Sequence, residues 1–260
     1  MLKRLFQRPH GQATSRDVIR QELIEILPQR GCGFCYLARV KSQRYVETLL
    51  DTAVIDVARR DAWRAAKGLC PWHAGMALEV PQSASSLAIL YEDVLDHELR
   101  HLARLTASEA STRWLRTRSS QRLAQRLQRW LRTWQQRDLC PVCRLWQTYE
   151  QLCMAVLLDD WHNPALMQAF MQSSGLCLPH TVRLVTHGMA HCHLASFLTA
   201  QQSRLQTVHG ELREFIRKQD YRFAHETYGS EADAWQRVIA LLVGMTDAPG
   251  ATKPPPQADG

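Results

Sequence analysis

The same four-residue ligand pattern occurs twice in this chain. Cys32-x-x-Cys35 is followed by Cys70-x-x-His73, and Cys140-x-x-Cys143 by Cys177-x-x-His180. The intervening segments are nearly equal, 34 residues between Cys35 and Cys70 and 33 between Cys143 and Cys177. Each run offers three sulfurs and one imidazole, the donor set of a tetrahedral Cys3His metal site. Nearly equal spacing in two runs points to an internal duplication, and the simplest expectation is that each half closes its own site.

The repetition extends past the ligands. Asn163 with Pro164 reads as a helix start and Gly175 as a helix stop. Stepping back 107 residues places Asp56, Trp63 and Gly68 opposite Asn163, Phe170 and Gly175, and both halves then read Gly-Leu-Cys. Other stretches carry helical periodicity. Residues 15–27 follow Thr14 and Asp17 in capping-box spacing, with Val18, Ile19, Leu23, Ile26 and Leu27 as the apolar stripe. Residues 36–58, 83–106 and 181–219 continue the pattern, and a last helix near Ala232–Val243 is expected to pack Trp235, Ile239 and Leu242. The expected fold is all-α, built from two pseudo-equivalent helical halves with one Cys3His site each. The expected boundaries are a flexible 1–14, a first half 15–108, a second half 109–245 with a basic leading helix, and a disordered Pro/Gly-rich tail 246–260.

Composition narrows the class. An apolar fraction of 45% suits a folded protein, and no apolar run approaches the roughly 18 residues that span a bilayer. The opening Met-Leu-Lys-Arg-Leu-Phe-Gln-Arg-Pro-His breaks off before a signal-peptide core can form. These features point to the cytoplasm, where paired cysteines stay reduced and bind metal or do redox work. A closed shell of four protein ligands is structural, since a catalytic zinc keeps one position open for water. Two zinc ions per chain are therefore expected, with an iron–sulfur cluster or a thiol redox pair as the alternative use of the same ligands. Cys153 reads as a small core residue, and Cys192, between His191 and His193, as part of a polar face or an extra metal patch.

Two further segments carry possible chemistry. His97-Glu98-Leu99-Arg100-His101 is a literal HExxH, which on a helix would set two histidines over a metal with the glutamate beside a bound water. The cation at Arg100 and the lack of a clear downstream third ligand weigh against a zinc hydrolase. The residues between Arg100 and Arg137 include ten arginines, no lysine and one acid, so this stretch alone carries +9 in a chain of net +7. Within it Leu123, Leu127, Trp130, Leu131 and Trp134 form an apolar stripe beside Arg122, Arg126, Arg129 and Arg137. Such a flank could meet a polyanion such as nucleic acid, an acidic protein partner or anionic lipid, or could balance acids of the protein itself.

The doubled Cys-x-x-Cys and Gly-Leu-Cys-x-x-His runs, with Asp220-Tyr221-Arg222-Phe223 and the Trp235-centred last helix, resemble a bacterial and archaeal family of helical proteins of unknown function. The resemblance covers about residues 15–245. It implies a helical prokaryotic protein with metal-type cysteines and supplies no reaction. The reading is a metal-binding interaction module without enzymatic activity.

Overall fold

Local capping signals mark the starts of several helices. In the computed structural model, which describes residues 14–29, 31–106, 116–223 and 225–244, every regular element is helical. The elements are α1 (Ser15–Ile26), α2 (Gly33–Thr52), α3 (Val57–Ala65), α4 (Pro71–Leu78), α5 (Ala84–Thr106), α6 (Arg116–Gln135), α7 (Pro141–Asp159), α8 (Pro164–Gln172), α9 (Leu178–His187), α10 (Leu194–Lys218), a 3-10 turn (Tyr221–Phe223) and α11 (Ala234–Val243). Thr14 Oγ1 accepts from the Asp17 N–H at 3.2 Å while Asp17 accepts from the Thr14 N–H at 3.1 Å, which closes the expected capping box. Asn163 accepts from the N–H groups of Ala165 and Leu166, and Asp56 from that of Arg59. The expected flexible start and the tail from 246 lie outside the described residues, apart from Thr14 itself.

Four expectations need correction. The stretch 181–219 is two helices, because Gly188 backs onto α7 so closely that a Cβ there would lie 2.2 Å from Leu158 Cδ1. α2 stops at Thr52, and Val57, 73% exposed, opens α3. On α11 the expected face is turned out: Trp235, Ile239 and Leu242 are 45%, 46% and 55% exposed, while Ala234, Ala240 and Leu241 are buried. The α6 stripe is also thinner than its periodicity suggests, since Leu127 and Leu131 are exposed.

The chain forms two compact units whose boundaries differ from a cut near residue 108. Among the described residues, one combines those from Thr14 to Arg39 with those from Thr148 to Gly244, and the other lies within Val40–Gln147. In the first, Trp161, Phe170 and Phe197 make mutual ring contacts at 5.2 Å, all fully or almost fully buried. In the second, Trp63 packs edge-on against Tyr91 at 5.2 Å, within a core that includes Val46, Leu49, Leu50, Leu90 and Val142. Trp63 and Phe170, opposite one another in the sequence repeat, are both fully buried.

Candidate metal centres

Four helix N-termini carry the eight repeated ligands. Cys32 and Cys140 stand just before α2 and α7, with Cys35 and Cys143 in the first turns. Cys70 and Cys177 are the extended N-cap residues of α4 and α9, with His73 and His180 three positions further on. The positive ends of these helices favour thiolates. The Gly-Leu-Cys approach is built by a device that recurs. Gly68 and Gly175 sit at φ +91° and +86°, where an L side chain is strained, and a Cβ at either would fall 2.8 Å from a side chain of the next long helix. That helix then holds the following leucine backbone. Tyr91 Oη accepts from Leu69 N–H at 3.3 Å, whereas the Gln201 amide takes Leu176 N–H and donates to Leu176 C=O, at 2.9 and 2.7 Å.

The ligands do not pair as their order suggests. Cys32 and Cys35 meet Cys177 and His180, whereas Cys70 and His73 meet Cys140 and Cys143. The expected eight residues thus form two Cys3His clusters, but each joins the Cys-x-x-Cys of one run to the Cys-x-x-His of the other. Each cluster lies wholly within one compact unit.

The geometry fits single ions. Zinc–sulfur bonds of about 2.3 Å and zinc–nitrogen bonds of about 2.0–2.1 Å give tetrahedral edges of about 3.8 Å between sulfurs and about 3.6 Å from sulfur to nitrogen. In the first cluster Cys35 Sγ is 3.7 Å from Cys177 Sγ, and His180 Nδ1 lies 3.5, 3.4 and 2.9 Å from Cys32, Cys35 and Cys177. In the second, Cys70 Sγ is 3.7 Å from Cys143 Sγ, and His73 Nδ1 lies 3.2, 3.6 and 3.4 Å from Cys70, Cys140 and Cys143. Seven of the eight ligands are buried, and Cys70 is half-buried.

Both imidazoles turn Nδ1 to the sulfurs and Nε2 to a partner that sequence reading missed. His73 Nε2 lies 3.1 Å from Ser42 Oγ. His180 Nε2 lies 3.2 Å from Glu150 Oε1, and the other oxygen of this carboxylate pairs with Arg183 at 2.6 Å. Glu150 is 1% exposed, and its Oε1 is close to His180 without being aligned as a hydrogen bond. An ion on Nδ1 would leave the proton on Nε2, the nitrogen beside this carboxylate, the pairing that carboxylate–histidine–metal sites use. The available signal was spacing: Ser42 and Glu150 each follow the second cysteine of a Cys-x-x-Cys by seven residues, two helical turns.

The electrostatics are compatible with a bound cation. Burial pushes the Cys32 thiol up, but hydrogen bonds with Cys177 and Cys35 and the His180 charge outweigh it and hold Cys32 well below its ordinary range. Cys35 is held far above its range, by Cys177 and Cys32 first and by burial after them. The second cluster splits likewise: Cys143 and Cys70 pull Cys140 down, while Cys140 and Cys70 push Cys143 up. Burial disfavours the imidazolium in both histidines, yet the facing sulfurs raise His73 and His180 above the usual range. One thiolate per cluster is thus readily held, and a divalent ion is what would let three coexist.

The chain matches a family of unknown function, DUF6062, over residues 23–249. It belongs to this family. A protein of Caldicellulosiruptor sp. (strain Rt8B.4), described as an uncharacterized 23.9 kDa protein in the xynA 3′ region, is 23% identical over 229 residues, which is 85% of this chain and 99% of that protein. No solved structure matches the chain.

The HExxH residues do not converge. His97 and His101 face each other on the outer side of α5, Nε2 to Nε2 at 3.1 Å, while Glu98 is buried away from them. Its carboxylate pairs with Lys67 and accepts from the indole N–H groups of Trp130 and Trp134, both at 3.1 Å. Burial would raise Glu98, but Lys67 and the indoles win and leave it below the usual carboxylate range. Of the flagged arginines, Arg126 and Arg129 line a groove of about 640 Å³ with Arg104, His101 and Trp130, and the side chain of Arg122 lies outside the described residues. Cys153 is fully buried, and no described helix is long and apolar enough to cross a membrane.

Proposed function

We propose that this protein is a metal-stabilised helical scaffold in which each Cys3His cluster holds one zinc ion as a structural centre. One observation carries the reading. The four donors of each cluster lie within 4.8 Å of one another, with several separations of 3.4–3.7 Å close to the edges of a tetrahedron around a single ion, and all four are supplied by the protein. An iron–sulfur cluster would distribute its ligands over separate irons, which donors converging on one point suit poorly. A hydrolytic role for the HExxH segment is disfavoured because Glu98 is engaged with Lys67, Trp130 and Trp134.

The scaffold then serves to present a binding surface, and the arginine groove is the surface with the clearest chemistry. Arg104, Arg126 and Arg129 line this groove and form no ion pair among the described residues, and their charge suits an anion. Phosphate groups of a nucleic acid suit it, with affinity that falls steeply as salt rises.

Elemental analysis of protein purified without added metal tests the central claim. Two zinc ions per chain and a colourless solution are expected, and Cys70→Ser should retain one. Absence of metal with all thiols intact, or iron in place of zinc, would refute the zinc scaffold.

A further inference from the structure

We propose a third metal site, exchangeable rather than structural, at His191, Cys192 and His193 in the turn between α9 and α10. One donor atom from each of these three side chains lies within 4.8 Å of the other two. The turn is held in place by Gly188, whose close approach to Leu158 leaves no room for a Cβ, and by the His191 N–H donating to Gly188 C=O at 2.8 Å.

The surroundings orient both imidazoles. His193 Nδ1 lies 2.9 Å from the Leu158 carbonyl oxygen, which can only accept, so Nδ1 carries the proton and Nε2 keeps a free lone pair. His191 Nε2 lies 3.0 Å from Asp159 Oδ1 and is the donor there, while its Nδ1 accepts the His193 backbone N–H at 3.2 Å. That nitrogen is therefore unprotonated, and an ion need displace only one long hydrogen bond to reach it. A carbonyl behind one histidine and a carboxylate behind the other is the outer support that metal-binding histidines use. The ring of His162 packs edge-on against His193 at 4.3 Å and restrains its rotation.

Two nitrogens and one sulfur select a borderline-soft divalent transition ion over calcium or magnesium. The thiol of Cys192 is exposed, in contrast to the cysteines of the two Cys3His clusters, all buried except the half-buried Cys70. Three protein ligands on an open surface leave room for water or an incoming ligand, the arrangement that separates exchangeable or catalytic sites from closed ones. Zinc would load and leave here while the buried ions stay.

The experiment adds Zn²⁺ to the full chain, as purified, against a chromophoric competitor and follows alkylation of Cys192 in parallel. Expected is one saturable equivalent beyond the metal already bound, with protection of Cys192 as it fills. Cys192→Ser should abolish that equivalent, and His193→Ala should weaken it at least tenfold, neither altering the metal that co-purifies. Wild-type protein that takes up no further zinc would overturn the proposal, as would variants that bind it unchanged. Failure of the buried sites reads out separately, as loss of the co-purified ions.

Discussion

Replacing Glu150 with Gln isolates the support given to one metal centre. Glu150 is 1% exposed and contacts His180 Nε2 at 3.2 Å, whereas the Nε2 of His73 meets the hydroxyl of Ser42. Partners of this kind typically govern metal affinity by 10–100-fold, or about 1.4–2.8 kcal/mol at 1.4 kcal/mol per decade. Gln keeps the shape and an accepting oxygen, so the change reports the charge. Arg183, 40% exposed at its side chain, contributes less through its own pairing because water screens it. Competition with a graded series of chelators should resolve two ions in wild type, and in Glu150→Gln one ion should leave at 10- to 100-fold lower chelator strength while the other is unmoved. Cys177→Ser must remove the same ion, which assigns it. Equal release of both ions from wild type and Glu150→Gln would refute the assignment of the carboxylate to the His180 centre.

Other outcomes follow from the same geometry. Cys35→Ser combined with Cys177→Ser should cost one ion, whereas Cys35→Ser combined with Cys70→Ser should cost both; ligand pairing within each run predicts the reverse, and metal counts decide. Structural zinc contributes roughly 10–16 kcal/mol of apparent binding energy, against roughly 5–15 kcal/mol for a domain's stability, so chelation should abolish much of the helical circular dichroism. Glu98→Gln breaks a buried pair with Lys67 and should cost about 3 kcal/mol in denaturant unfolding without changing metal content. Because Glu98 is held below its usual range, its contribution is complete above the unfolded value near 4.5 and fades as pH falls through the lower folded value; a pH series of unfolding curves in which wild type and Glu98→Gln converge at acid pH is expected. Arg126→Gln with Arg129→Gln should weaken oligonucleotide binding and flatten its salt dependence, and identical titrations at two salt concentrations would contradict the groove's role.

What was legible in the sequence is what depends on neighbours along the chain. The Thr14–Asp17 box, the Asn163–Pro164 start and the positive-φ glycines are settled within a turn or two. Ligand identity was legible for the same reason, since Cys-x-x-Cys and Cys-x-x-His declare themselves over four residues. The break at Gly188 was hidden because it arises from Leu158, thirty residues away, and no proline marks it. α11 misled because apolar residues surround it. Periodicity favoured the large ones, while packing buried Ala234, Ala240 and Leu241 on a helix that contacts α10. Glu98 looked like part of a metal motif, although its partners come from two other places in the chain, Lys67 after α3 and Trp130 with Trp134 on α6.

The crossed pairing of ligands was the deepest loss, and magnitudes explain it. Cys35 is 142 positions from Cys177 and Cys70 is 73 from Cys143, whereas pairing within each run would join residues only 35 and 34 apart. Loop-closure entropy favours the local choice by no more than about 2 kcal/mol summed over both sites, because the cost grows only with the logarithm of loop length. The inner loop lies within the outer one, so closing it first reduces even this. Against that stand the residues inside the Cys-x-x-Cys motifs: Phe34 and Val142 are both fully buried, and full burial of such a side chain is worth about 1.5–3 kcal/mol. Val142 joins the core of Leu49, Leu50, Trp63 and Leu90, the same core against which Cys70 packs, so it carries Cys140 and Cys143 to the Cys70–His73 pair. Donor chemistry is identical in either pairing, so packing around two apolar residues between the cysteines decides which sulfurs meet.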